Sequence, residues 1–274
     1  MHETTSAQAL IGVLDSGVGG LSVLREIHKQ LPGYPTIYYA DQAHLPYGPR
    51  PQAEIRRFVE TIADFLIAQG VTVVVIACHA ASAAGLHYLR ARHPQIPIVG
   101  MEPAVKPAAE RTQTGVVGVL TTQATADGSL YRRVIERFAV DTRVITQVSP
   151  ALVTLAEAGA PDTPESRAIV MAEVKPLLDA GADQIVLACT HFPFVAPLIR
   201  EVVAGRAVLV DPSTAVARQV GRVLAGQGSG TASNTPPTQR YCTSGDPVAF
   251  SATIARLCGV SVTAEQCRLD PTTA

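Results

Sequence analysis

This sequence has no excess of positive or negative charge. Its 274 residues carry 22 lysine and arginine residues against 23 aspartate and glutamate residues, which gives a net charge of −1. A basic surface of the kind that binds nucleic acid or an anionic membrane is therefore not expected. We expect the partner to be a small molecule, with no nucleic acid and no membrane involved.

Long apolar runs and a disulfide framework are missing as well. No apolar stretch approaches the roughly 18 residues of a membrane-spanning helix, and the N-terminal segment lacks the basic and apolar regions of a secretion signal. The five cysteines are odd in number and scattered, which is typical of free thiols in a reducing compartment. We therefore expect a cytoplasmic protein. Its oligomeric state stays open, with a homodimer as one alternative.

What the chain does contain is an alternation of short runs rich in β-branched residues with amphipathic stretches. The predicted strands are residues 10–15, 36–40, 71–78, 96–100, 115–120, 143–148, 183–189 and 207–211, and the clearest helical stretches are 51–69, 164–180 and 213–225. This pattern predicts an α/β fold with mostly parallel strands. Residues 225–238 have few apolar side chains and are predicted to form a mobile loop, followed within 239–259 by a strand and a helix appended to the main sheet.

An internal echo indicates two related halves. The segment GVTVVVIAC at 70–78 matches GADQIVLAC at 181–189 with an offset of 111 residues, and IGVLDS at 11–16 matches VGVLTT at 117–122 with an offset of 106. Each half thus has one strand that ends in a hydroxyl-bearing pair and a later strand that ends in Ala-Cys. We infer two pseudo-symmetric α/β domains. They are residues 9–102 together with about 212–274, which includes the appendage, and residues 103–211.

Cys78 and Cys189 occupy matching positions in the two halves. Ligands bind beyond the carboxyl ends of the strands in open parallel sheets. Each thiol is predicted to lie there at the start of a helix, where the helix dipole favours the thiolate. One cysteine after a strand is more often a small core residue, but two at matching positions favour chemistry. Two thiols that face one cleft from opposite sides could remove a proton from one face of a carbon and return one to the other.

Several polar residues near these strand ends could assist. His191 lies two residues after Cys189, within reach as an activating partner. Asp15 and Ser16 end the first predicted strand, and the glycines of DSGVGG would let the backbone approach a small anion. These glycines do not match the dinucleotide-binding pattern, because Ser22 stands where the third glycine is required. A nucleotide site is therefore not expected.

A proline-rich turn supplies a further candidate. The segment LPYGPRP at 45–51 could hold Tyr47 and the Gly48 amide at the edge of a cleft. On spacing alone, a plain turn is an equally good interpretation.

Five segments occur together in the order of a known family. They are IGVLDSGVGGLSVL, YYADQAHLPYGPRP, VIACHAASA, GMEPAVKPA and VLACTHFPFV, and they span roughly residues 10–225. Together they resemble the glutamate racemases of the aspartate/glutamate racemase superfamily. The resemblance implies two flavodoxin-like domains with a cleft between them and a cofactor-independent racemase that makes D-glutamate for peptidoglycan, and so for the cell wall.

The same resemblance implies residue roles. Cys78 and Cys189 would be the two catalytic acid/base thiols, with Asp15 and His191 assisting one each. The implied substrate-binding set comprises Asp15, Ser16, Tyr47, Gly48, Thr122, Thr125, Thr190 and His191, together with the positions of His79 and Ala80.

The sequence departs from the family pattern directly after Cys78. The family has Asn-Thr there, and this chain has His79 and Ala80. The Asn amide and the Thr hydroxyl help to hold the amino acid in the family. A homologue with an altered substrate, or with weak or no activity, is therefore an alternative to a glutamate racemase.

Two further classes of function fit the sequence less well. A pyridoxal phosphate enzyme would need a Schiff-base lysine, and Lys29, Lys106 and Lys175 all lie away from predicted strand ends. We therefore expect no cofactor. A catalytically inactive binding protein on the same scaffold is another alternative, although retention of both cysteines argues against it.

A metal-binding protein is the remaining alternative. Cys78, His79, Cys189 and His191 could converge as soft ligands for Zn²⁺. No pair of these ligands has the two-residue gap that is usual in structural zinc motifs, so no metal is expected.

Overall fold

A computed structural model describes residues 9–228 and 237–269 of the chain. Most of the predicted mobile loop, residues 229–236, lies outside the described residues. The strands are Ile11–Asp15 (β1), Thr36–Ala40 (β2), Val73–Ile76 (β3), Ile98–Gly100 (β4), Val116–Thr121 (β5), Arg143–Val148 (β6), Gln184–Ala188 (β7), Val208–Val210 (β8), Gln239–Thr243 (β9) and Ala264–Gln266 (β10).

Helices connect most successive strands, as parallel pairing requires. They are Leu21–Gln30 (α1), Gln52–Ala68 (α2), His79–Arg92 (α3), Val105–Ala109 (α4), Gln123–Ala126 (α5), Ser129–Phe138 (α6), Pro150–Glu157 (α7), Pro164–Asp179 (α8), Phe192–Val203 (α9), Ser213–Gly226 (α10) and Pro247–Cys258 (α11). Within the described ranges, none of these helices is long and apolar enough to cross a membrane.

The strands form two parallel sheets. The first has the order β10-β9-β2-β1-β3-β4, and the second has the order β6-β5-β7-β8. Every strand pair recorded in the two sheets is parallel. The predicted α/β class is therefore confirmed, and the order β2-β1-β3-β4 is that of a flavodoxin-like sheet.

The second sheet repeats the order and the register of the first. Gly12 of β1 lies opposite Val74 of β3, and Gly118 of β5 lies opposite Ile185 of β7. Gly12 and Gly118 are 106 residues apart in the chain, and Val74 and Ile185 are 111 residues apart. These are the same two offsets as in the sequence echo. The match in register shows that the echo corresponds to equivalent strands of two similar sheets.

Apolar side chains cover both faces of each sheet. On the first sheet, α1, α10 and α11 pack on one face and α2 and α3 on the other. On the second sheet, α7, α8 and α9 pack on one face and α4 and α6 on the other. The central strands are buried on both faces, which is why their sequences are continuous apolar runs without alternation.

The sheets suggest where the chain divides. Helix α4 packs with the second sheet, whereas α10 packs with the first. We propose the division expected from the sequence, residues 9–102 with about 212–274 as one domain and 103–211 as the other.

Some elements differ from the prediction. The strands are shorter by up to two residues at some of their ends, because turns take up the flanking residues. Strand β10 was not predicted, since its three residues AEQ form a short, mostly exposed edge without an apolar run. Cys189 precedes a helix as predicted, but α9 begins at Phe192, after a short turn at residues 190–191.

The turn between β1 and α1 is packed too tightly for a side chain at Gly20. A Cβ atom there would lie 2.7 Å from Asp15 Cβ, 2.8 Å from Tyr38 Oη and 3.1 Å from Ala77 Cβ. Two of these atoms are fixed to the backbone and cannot rotate away. Glycine at this position therefore lets the turn sit directly on the ends of the strands.

We predict that Gly20→Ala destabilises the protein, because the added methyl group must displace this packing. The expected loss is roughly 1–3 kcal/mol in the free energy of unfolding, the usual cost of overpacking, measured by urea denaturation. Gly226→Ala is the matched control, since a Cβ there meets no atom within 4 Å. Equal stability of the two variants would contradict the prediction.

Candidate active site

A cavity of about 330 Å³ lies where the carboxyl ends of strands from both sheets meet. Residues that line it follow β1, β3, β5 and β7, the four equivalent strands of the two halves. A larger open groove of about 1000 Å³ runs along β4, α3, α4 and α10, but neither strand-end cysteine lines it. The smaller cavity is therefore the candidate site.

Most of the predicted site residues come together in this cavity. Those that line it are Ser16, Tyr47, Gly48, Cys78, His79, Ala80, Thr122, Thr125, Cys189 and His191. The structure places Asp15 and Thr190 behind the wall, where they are buried without lining the cavity. Both cysteines therefore open onto one space.

The carboxylate of Asp15 holds the turn that follows β1. Its Oδ2 accepts hydrogen bonds from the Gly17 N–H at 3.0 Å and the Gly20 N–H at 2.9 Å, and its Oδ1 lies 3.5 Å from the donating Thr190 hydroxyl. Burial raises the pKa of the Asp15 carboxyl, although the charge on His191 and these backbone donors oppose that rise. A catalytic or substrate-binding role for Asp15 stays a prediction.

Cys189 begins a buried chain of polar contacts. Its Sγ lies 3.6 Å from Nδ1 of His191, and Nε2 of His191 lies 2.6 Å from Oε1 of Glu157. Burial lowers the pKa of His191, but the hydrogen bonds and negative charges of Cys189 and Glu157 outweigh this and hold it well above its usual value. The imidazole is therefore protonated at neutral pH and donates to both neighbours.

Cys78 has a different environment. It is the N-cap of α3, its Sγ accepts from the Ala81 N–H at 3.5 Å, and its S–H points to the Ser16 hydroxyl at 4.0 Å. Burial raises the pKa of this thiol well above its usual value, and the charge of Asp15 adds to the effect. The expectation that the helix start would favour a thiolate here is wrong, because burial outweighs the helix dipole.

The two thiols are thus equivalent in position and unequal in charge environment. The Cys189 sulfur lies beside Nδ1 of His191, a hydrogen-bond partner that Cys78 lacks. Cys78 lies among neutral groups close to a buried carboxyl, which favours the thiol. One cavity therefore holds two sulfur atoms that come from opposite halves and have different neighbours.

His79 contributes an imidazole without hydrogen-bond partners. It lines the cavity and is 3% exposed, and neither ring nitrogen is bonded to any other described residue. Burial lowers the pKa of this ring to about 3, so it is neutral. A neutral imidazole offers one donor and one acceptor, and both are buried here without a partner among the described residues.

The turn with Tyr47 and Gly48 is a fixed edge of the cavity. The Tyr47 hydroxyl donates to Oδ2 of Asp41 at 2.6 Å, and Ser244 donates to Oδ1 of the same buried carboxylate at 2.8 Å. The Gly48 carbonyl accepts from the Ala124 N–H at 2.8 Å, which ties the turn to the second half. The cleft-edge interpretation of this turn therefore agrees with the structure.

Helix α7 supplies site residues that the sequence reasoning missed. Glu157 is its last residue, and Pro150, Val153 and Thr154 line the cavity. Oε1 of Glu157 also accepts from the Val18 N–H at 3.1 Å, across the two halves. The available signal was that Glu157 is the one charged residue of the α7 segment PALVTLAE.

Lysine and arginine do not contribute to the cavity wall. Among the described residues that line it, the side chain that can carry a positive charge with a raised pKa is His191. Backbone N–H groups, as at the starts of helices, and hydroxyls are the other donors available to an anionic ligand.

The structure does not favour the zinc alternative for this cavity. In residues 9–228 and 237–269, no three of the ligand atoms of Cys78, His79, Cys189 and His191 lie within 4.8 Å of one another. His191 is moreover committed to Glu157 and Cys189 through its two nitrogens.

Comparison with known proteins identifies the family. The family model of Asp/Glu/Hydantoin racemases matches residues 11–220. A glutamate racemase of Ectopseudomonas mendocina is 47% identical over 253 residues, which cover 92% of this chain and 96% of that protein. The chain belongs to the Asp/Glu/hydantoin racemase family, and it is therefore an enzyme of the racemase class.

Solved structures agree in fold over nearly the whole chain. A glutamate racemase isoform from Bacillus anthracis superposes with a TM-score of 0.86 at 30% identity, covering 94% of this chain and 97% of that one. The Escherichia coli glutamate racemase in complex with L-glutamate and the activator UDP-MurNAc-Ala gives a TM-score of 0.84 at 30% identity, covering 96% and 99%. The expected pair of flavodoxin-like domains is confirmed by these matches.

We predict that Glu157→Gln lowers the pKa of His191. The variant keeps a hydrogen-bond acceptor but removes one of the two negative charges that raise this pKa, while burial continues to lower it. The His191 ring should then lose its proton at a lower pH, as followed by NMR of labelled histidine. Glu173→Gln, which removes a carboxylate bonded to Gln147 and Ser149, is the control. An unchanged titration in Glu157→Gln would contradict the assignment.

Proposed function

We propose that this enzyme interconverts L- and D-glutamate with Cys78 and Cys189 as its two acid/base groups. The observation that carries the proposal is the pair of thiols from equivalent strand ends that line one cavity in unequal charge environments. The 47% identity to a glutamate racemase and the glutamate-bound relative support the choice of substrate. An altered substrate or an inactive homologue is not favoured by these relatives.

The reaction needs one proton removed and one proton added at the α-carbon. The Cys189 thiolate takes the α-proton from one enantiomer, and the electron pair of the broken C–H bond stays on the substrate as a carbanion. The Cys78 thiol then gives its proton to the opposite face of that carbon. At the end, Cys189 is a thiol and Cys78 is a thiolate, which is the state that converts the other enantiomer.

The Glu157–His191 pair prepares Cys189 for this step. The imidazolium donates to the sulfur before reaction, and its charge stabilises the thiolate without transferring a proton to it. When Cys189 gains the α-proton, the imidazolium remains paired with the Glu157 carboxylate. We assign Glu157 as a positioning residue for His191, which is the partner of the thiol.

Substrate carboxylates would be held without an arginine. Ser16, Thr122 and Thr125 present hydroxyls to the cavity, and α3 starts at its wall with the N–H groups of its first turn. The Thr122 and Thr125 hydroxyls lie 3.1 Å apart and can both turn to one anion. Thr190 and Asp15 support this wall from behind.

The mechanism uses no cofactor, since both proton transfers are assigned to side chains of this chain. Lys29, Lys106 and Lys175 do not line the cavity. We further propose that the enzyme works in the cytoplasm and supplies D-glutamate for peptidoglycan, as the resemblance implied. Whether it acts as a monomer or as a homodimer is open.

We predict that Cys78→Ser and Cys189→Ser each abolish racemisation, because each removes the acid/base group of one face. The expected fall in kcat/KM is at least about a hundredfold, the lower bound for general acid/base catalysis. The assay is L-glutamate in D₂O, with loss of the α-proton followed by NMR and loss of optical rotation by polarimetry. Cys258→Ser, a half-buried thiol of α11 that does not line the cavity, should keep full activity. Full activity in either strand-end variant would exclude the two-thiol mechanism.

We predict that the double substitution His79→Asn, Ala80→Thr raises kcat/KM for glutamate at least about tenfold. A planar amide and a hydroxyl would replace the neutral imidazole and the methyl group, and each polar partner regained is worth about 1–3 kcal/mol. The melting temperature should change little, because His79 makes no hydrogen bond to a described residue that could be lost. The single variants separate the two contributions. An unchanged or lower kcat/KM would show that the native pair already serves the substrate.

A further inference from the structure

A second group of cysteines lies at the outer edge of the first sheet. Strand β10 pairs with β9 there, and Glu265 lies directly opposite Cys242. Cys267 follows β10, and its N–H donates to the Thr243 carbonyl at 2.8 Å. One ligand atom from each of Cys242, Glu265 and Cys267 lies within 4.8 Å of the other two.

We propose that Cys242, Glu265 and Cys267 form a binding site for one soft divalent cation, for which Zn²⁺ is the best fit. Two thiolates and one carboxylate are a ligand set that zinc accepts, with water in the fourth position. The site is separate from the racemase cavity, since none of its three residues lines that cavity. The inference does not depend on the proposed substrate.

The charges around the site favour a divalent ion. When an ion binds, both thiols release their protons, so the ligand set then carries three negative charges beside the one positive charge of Arg240. Arg240 donates to both oxygens of Glu265, from Nε at 3.0 Å and from Nη2 at 3.2 Å. A divalent cation therefore brings the group to neutrality, whereas a monovalent cation leaves a negative charge at a partly buried position.

The arrangement also supplies rigidity and access. Cys242 is fully buried, and its neighbour Tyr39 donates a hydrogen bond to the Cys267 carbonyl at 2.7 Å, which fixes the backbone on the other side. Cys267 is only partly buried and Glu265 is exposed, so an ion reaches the site from solvent. The exposed side leaves room for the water ligand.

The register brings Glu265 beside both cysteines. Cys242 lies opposite Glu265, and Cys267, two residues after Glu265, follows β10. The side chains of Cys242 and Cys267 form a hydrogen bond. An ion would therefore find three ligand atoms close together, and a zinc ion bonds each thiolate sulfur at about 2.3 Å.

A bound ion would fasten β10 to β9. The pair β10–β9 ends the sheet, and Glu265 and Gln266 of β10 are exposed. An ion held by ligands from both strands adds a cross-link to the backbone hydrogen bonds that join β10 to β9. The expected effect is on stability, because binding to the folded state alone raises the melting temperature.

The test uses the full-length protein and Co²⁺ as a spectroscopic substitute for Zn²⁺. One equivalent of Co²⁺ should give a thiolate-to-cobalt charge-transfer absorption, and Zn²⁺ should displace it and raise the melting temperature. Cys267→Ser and Cys242→Ser should weaken binding at least about tenfold, and Glu265→Gln by about tenfold, as losses around metal sites do. Cys267 is partly exposed, so its variant should remain folded.

Two controls separate this site from other thiols. Cys258→Ser and Cys189→Ser should keep the cobalt spectrum, because neither residue belongs to the group. A spectrum that survives in Cys267→Ser but is lost in Cys189→Ser would place the ion in the racemase cavity and overturn the proposal. Absence of a thiolate absorption, or rapid formation of a Cys242–Cys267 disulfide that prevents cobalt binding, would also overturn it.

Discussion

The carboxylate of Glu157 joins the two halves of the protein beside the cavity, and its pairing with His191 helps to raise the pKa of that ring. It accepts the Val18 N–H from the turn after β1 and lies 2.6 Å from His191. A buried carboxylate is stable only when it is paired and hydrogen-bonded. The pairing keeps His191 protonated, which in turn directs an imidazolium N–H at Cys189. The contact thus links the turn after β1, which Asp15 also holds, to the hydrogen bonding of Cys189.

Duplication explains the placement of the two thiols, and divergence explains their difference. The helices before β3 and β7 both end at a glycine with positive φ, Gly70 at 82° and Gly181 at 90°. The strands that follow carry Cys78 and Cys189 to the same edge. After Cys78 the helix starts at once, whereas a Thr-His turn precedes the helix after Cys189. That turn provides the imidazole that Cys78 lacks.

Much of this arrangement could be predicted because it depends on local patterns. Continuous apolar runs marked the central strands, and the two offsets of the echo anticipated the register of Gly12 and Gly118. Strand β10 was missed because three mostly exposed residues carry no periodic signal. Glu157 was missed because a charged residue at the end of an apolar helix has no local partner. Its partners lie just before α9 and in the turn after β1, far away in the chain.

The sequence by itself determined the fold class, the doubling of the sheet and the two strand-end cysteines, since periodicity and repeat spacing are encoded along the chain. Only the tertiary structure decided which groups are charged. Burial keeps Cys78 protonated against its helix and leaves His79 neutral, and the Glu157 contact keeps His191 cationic. The tertiary structure also places Asp15 behind the cavity wall and brings the Cys242 side chain close to that of Cys267. These outcomes depend on desolvation and on contacts between distant residues, and neither quantity can be read from the order of amino acids.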